Sequence, residues 1–93
     1  MIKLPKLNSG DIVLVKWLDT LDMIQWMSQS TISEWKPSLI ASVGIFFEIS
    51  DNCLKMAHSV AEGDETDGMV IPVGIIKSVE VLKKRKTDAD LSL

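Results

Sequence analysis

Apolar and polar positions along the chain alternate in short runs. Ile12-Val13-Leu14-Val15-Lys16-Trp17-Leu18 is β-branched, brief and bounded by polar residues, so it reads as a strand, and its largely apolar faces suit cover on both sides. Asn8-Ser9-Gly10-Asp11 before it is a turn signal. The clearest strand is residues 39–50: Ala41, Val43, Ile45, Phe47 and Ile49 are all apolar and are expected to face the core. Ile40, Ser42, Gly44, Phe46 and Glu48 then form the outer face, where Gly44 would allow a sharp bend or a close backbone neighbour. Ser50-Asp51-Asn52 predicts a tight turn, so residues 53–60 should pair antiparallel with that strand, Leu54, Met56 and His58 inward. Residues 62–68 read as a flexible acidic loop, residues 69–73 as a fourth strand with Pro72 at an edge or end, Gly74 as a tight turn, and residues 76–82 as a fifth strand with Val79 and Val81 on one face.

Between the first two strands the period-two pattern stops. Leu21, Ile24 and Met27 recur at threes behind Asp19 or Thr20, which predicts a short capped helix with Asp22 in its first turn. Thr31-Ile32-Ser33-Glu34 matches a capping box, though Pro37 leaves room for one turn at most. The expected fold is therefore mainly β: a small five-stranded barrel with a long first connection containing short helix. It would be one domain over residues 1–82 with its helical excursion at 19–38, followed by a charged C-terminal tail, 83–93, that frays.

Composition narrows the function classes. Ninety-three residues make one domain with a thin core, for which oligomerisation is a common remedy. The single Cys53 excludes an internal disulfide, so the fold does not need an oxidising compartment. No apolar run approaches the roughly 20 residues of a membrane span, and no apolar stretch follows Met1-Ile2-Lys3-Leu4-Pro5-Lys6 to make a signal peptide, so a cytoplasmic, non-secreted protein is expected. The net charge of −3 divides into −5 over residues 1–82 and +2 over residues 83–93. An acidic body repels phosphate backbones on average, which disfavours nucleic acid without removing a local basic patch from consideration.

Two resemblances follow from particular residues. Ile71-Pro72-Val73-Gly74-Ile75-Ile76-Lys77-Ser78-Val79 resembles the second half of an Sm-type motif, with Val73 where that family usually carries Arg or Lys before the Gly. Gly10 to Trp17, Trp26, Ser42-Val43-Gly44, Ala57-His58-Ser59 and Ile71-Pro72-x-Gly74-x-Ile76 together are similar to small bacteriophage proteins with an SH3-like or Sm-like barrel. That resemblance implies a phage origin, a host-cytoplasmic setting and an SH3-like/Sm-like barrel. It supplies no catalytic residue and so transfers no role.

The candidate residues divide by chemistry. Met23, Trp26, Met27 and Trp35 in the excursion, with Phe46 on the expected outer face, either fold the excursion onto the barrel or form a partner or subunit contact, since Trp is enriched at interface hot spots and Met adapts to partners. Trp17 is expected in the core. Lys83, Lys84, Arg85 and Lys86 read as a solvated tail or as a contact for anions or nucleic acid, with no aromatic interleaved to stack on bases. His58 has no second His, and a neighbouring Ser59 on a strand points the other way. Cys53 has no activating group, and Glu62, Asp64, Glu65 and Asp67 miss the EF-hand spacing. No catalytic residue, metal site or cofactor is expected. A non-enzymatic interaction or ligand-binding module is, homo-oligomeric, with a host protein or small ligand as further partners, no membrane, and nucleic acid left open. An Sm-like RNA binder and a minor virion structural protein are the alternatives.

Overall fold

In a computed structural model, which describes residues 2–19, 26–63 and 65–85, the chain forms five antiparallel strands and one short helix. The strands are β1 (Ile12–Asp19), β2 (Ser38–Ser50), β3 (Cys53–Ala57), β4 (Met69–Pro72) and β5 (Ile76–Lys83), and the helix is α1 (Gln29–Ser33). They make one sheet in the order β4-β3-β2-β1-β5. β2 and β3 are joined by Asp51 and Asn52, both with positive φ (53° and 59°). Asp and Asn tolerate that region, and its twist matches the strands on either side.

β4 and β5 lie at opposite edges of the sheet, yet only a three-residue 3-10 turn, Val73–Ile75, separates them. Four residue steps span at most about 14 Å. In a flat sheet, strands four places apart would be about 19 Å apart. The sheet must therefore curl at this end. Val73 N–H donates to the Asn52 carbonyl (2.9 Å), which ties the turn to the β2–β3 corner. No ladder joins β4 to β5 among the described residues, so the sheet is curled but not closed by hydrogen bonds.

The concave side holds the core: Val13, Val15, Phe46, Leu54, Met56, Ile71 and Ile76 are buried, with Trp17, Met69, Val79 and Val81 packed against them. Val79 and Val81 share this face, opposite Val15 and Val13.

The side-chain alternation of β2 runs opposite to the expectation. Val43 is 49% exposed and Ala41 is exposed, while Gly44 and Phe46 are buried. Packing explains the reversal. A Cβ on Gly44 would lie 2.7 Å from both the Ala57 carbonyl oxygen and Met56 Cε, so the inner position must lack a side chain. Ser42 faces inward because its Oγ accepts the indole N–H of Trp17 (3.1 Å). Polar character at these two positions marks crowding and a partly buried donor, not solvent. A register shift between Phe46 and Glu48 then inserts one residue, so Ile49, not Glu48, pairs with buried Leu54.

Gly44→Ala is expected to destabilise the protein by about 1–3 kcal/mol, because a backbone carbonyl cannot step aside as a side-chain end can. The urea midpoint of unfolding would measure it.

Candidate functional site

Among the described residues of the excursion, helix is confined to α1. Ser28, extended, caps α1 by accepting the Thr31 N–H (3.2 Å), and Ser33 Oγ bonds back to the Gln29 carbonyl (2.7 Å). The observed cap therefore lies three residues before the Thr31 box. The helix expected behind Asp19 or Thr20 falls largely on residues 20–25, outside the described residues, as does Met23. Trp26 is fully exposed (102%) and Ile32 is 52% exposed, while Met27 and Trp35 are half-buried. Phe46 is a correction: it sits in the core at 5% exposure rather than on an outer contact face, because its side chain fills the concave side beside Met56.

The basic run is also placed differently. β5 runs through Lys83, the first residue of the basic run. Beyond it the chain is held by Asp11, which is wholly buried. Asp11 Oδ1 accepts the Arg85 backbone N–H (2.8 Å), and Oδ2 accepts the Asn8 N–H (2.9 Å) and lies 3.6 Å from Lys84 Nζ. Lys84 Nζ also donates to the Lys6 carbonyl (3.0 Å), and Arg85 Nη1 to the Ser9 carbonyl (3.1 Å). Lys84 and Arg85 thus bind the protein's own N-terminal turn; Lys86 lies outside the described residues. The Arg85 N–H above all holds the Asp11 carboxyl below its ordinary range. Burial opposes this, and the Asn8 N–H and the Lys84 ammonium reinforce it.

The acidic loop is a tied hairpin extension. Val60 and Thr66 form a bridge, and Ala61 N–H donates to the Glu65 carbonyl (2.8 Å). Asp67 Oδ1 accepts the backbone N–H groups of both His58 (2.8 Å) and Ser59 (2.7 Å). This ends β3 at Ala57, so His58 leaves the strand and is exposed rather than pointing inward. A shallow depression of about 300 Å³ lies beside it, lined by Ser59, Ala61, Glu65, Thr66 and Asp67. Among the described residues no three His, Cys, Asp or Glu side chains converge as a metal site, and no buried polar side-chain atom lacks a partner.

The early end of β3 leaves half of β2 unpaired. The β2–β3 ladder begins at Ile45 opposite Ala57, so residues 38–44 have β1 on one side and no strand on the other among the described residues. The next rung would join Val43 to Ser59, whose N–H is taken by Asp67. Phe46 directs both its N–H and its carbonyl toward the start of β1, bonding Asp11 and Gly10 (2.8 and 2.7 Å). The register from Ile45 back to Ser38 is unbroken, so by alternation Leu39, Ala41 and Val43 turn their backbone groups to the open side.

Two outcomes are expected for the Asp11 cluster. Asp11→Asn should cost about 2–4 kcal/mol at neutral pH, against under about 1 kcal/mol for Lys84→Met, whose side chain is half exposed. Because the folded Asp11 carboxyl is depressed, its contribution is complete above the unfolded value of about 3.9 and fades as pH falls through the lower folded value. Urea midpoints of wild type and Asp11→Asn should therefore differ fully at pH 7 and converge in acid.

Comparison of the chain with family models, with curated proteins and with solved structures finds no match.

Proposed function

We propose that the protein is a non-enzymatic interaction module of the phage type, a small SH3-like/Sm-like barrel that self-associates in the host cytoplasm and uses its excursion as the contact surface. The observation that carries this reading is Trp26, fully exposed beside half-buried Met27, with exposed Ile32 in the helix that follows. A Trp side chain offers 150–250 Å² of mostly apolar surface, and burying it against a partner recovers the cost of its hydration. The three-residue link between β4 and β5, which brings opposite edges of the sheet together, supports the barrel. That no helix among the described residues is long and apolar enough to cross a membrane is consistent with the setting.

Contact with protein is favoured over contact with RNA by where the cations lie. The Lys84 ammonium is engaged by Asp11 and the Lys6 carbonyl, and the Arg85 guanidinium by the Ser9 carbonyl, so a phosphate would have to compete with bonds already made.

Native mass spectrometry should show one defined oligomer, and Trp26→Ala should weaken its assembly by about tenfold or more without changing the circular dichroism. A wild type that stays monomeric at high concentration, or an oligomer indifferent to Trp26→Ala, defeats the proposal.

A further inference from the structure

We infer that the unpaired half of β2, residues 38–44, is the dimerisation edge, and that a second copy of the same strand occupies it antiparallel, continuing the sheet across a two-fold axis. The inference rests on the self-association proposed above and names the surface that performs it.

The three open edges differ in how they are guarded. On β4, Pro72 removes a donor. On β5, Lys77, Glu80 and Lys83 place charge along the edge, and two register shifts against β1 distort it. Natural sheets use these devices to prevent edge pairing. Residues 38–47 carry neither charge nor proline, and Leu39 and Val43 are 60% and 49% exposed. Among the described residues this edge alone is left fit to pair.

The strand is complementary to itself. The outward-turned backbone groups belong to Leu39, Ala41 and Val43, and an antiparallel pair needs such residues opposite one another. A two-fold axis at Ala41 sets Leu39 against Val43 of the second copy and Ala41 against its own equivalent. Each outward N–H then meets a carbonyl, and the exposed apolar side chains form one continuous row. An identical surface meeting itself is the commonest way to a closed dimer.

Area also points to a second copy as the occupant. A stable interface needs about 1,200 Å² or more, which a strand pair this short does not supply. Asp19 pairs with Ser38, so the excursion springs from the end of this same edge. Two Trp26 side chains add on the order of 300–500 Å². Edge and excursion together make one interface, whereas a free peptide strand would leave both tryptophans in water.

The test combines two charge substitutions with hydrogen exchange on the full chain. Leu39→Lys and Val43→Lys alter exposed side chains and should leave the circular dichroism unchanged. Each is expected to weaken dimerisation by about 100-fold or more, since the two-fold axis doubles every buried charge. In wild type, the amides of Leu39, Ala41 and Val43 should exchange more slowly as protein concentration rises into the dimeric range. A dimer that survives both lysine substitutions but dissociates with Trp26→Ala overturns the edge while leaving the interaction module standing. Amides equally protected where the protein is monomeric would mean that the chain's own segment fills the edge, and that too overturns it. A monomer at every concentration ends both proposals.

Discussion

The buried carboxylate of Asp11 joins the turn that enters β1 to the backbone that leaves β5. Its side chain takes N–H groups from Asn8 and Arg85, and its backbone carbonyl takes the Phe46 N–H, so the N-terminal turn, β2 and the end of β5 meet at one residue. Gly10, at φ 98°, makes the turn that delivers it. A lone buried charge is costly, but this one is satisfied on both oxygens and has an ammonium within 3.6 Å. The β1–β5 ladder already pairs the first and last strands, and Asp11 adds to it by fixing the chain just before the one and just after the other.

A second carboxylate has the opposite effect. Asp67 draws the backbone of His58 and Ser59 off the β3 ladder, and Gly44 lets the Ala57 carbonyl come close just before that departure. One Asp thus completes the sheet at the chain ends while another opens it beside β2. The open edge starts where the excursion rejoins the sheet, at the Asp19–Ser38 pair, and carries exposed Leu39 near that end and exposed Val43 opposite Leu14.

Much of this was legible beforehand where a local rule has a local cause. The strand positions follow from period-two runs, the Asp51-Asn52 turn from residues that tolerate positive φ, and the end of β4 from Pro72. The inward face of β2 was not legible. Polarity pointed one way, but Gly44 and Ser42 are small and polar on the inside because Met56, Ala57 and Trp17 fill the space and supply a donor there. The basic run read as a tail because Asp11 is 74 positions from Arg85, and no local pattern records a partner so distant. Phe46 fell on the wrong face with the rest of β2.

By itself the sequence determined that this is a mainly β chain with strands in these places, a tight second turn, a non-β excursion rich in Trp and Met, and no disulfide, because propensity, turn chemistry and residue identity act over a few neighbouring positions. Only the tertiary structure decided which face of β2 is buried, what Lys84 and Arg85 bind, and where an edge is left open. Each of those depends on volumes and hydrogen-bond partners contributed by strands far apart in the chain, and they meet only when the sheet has curled.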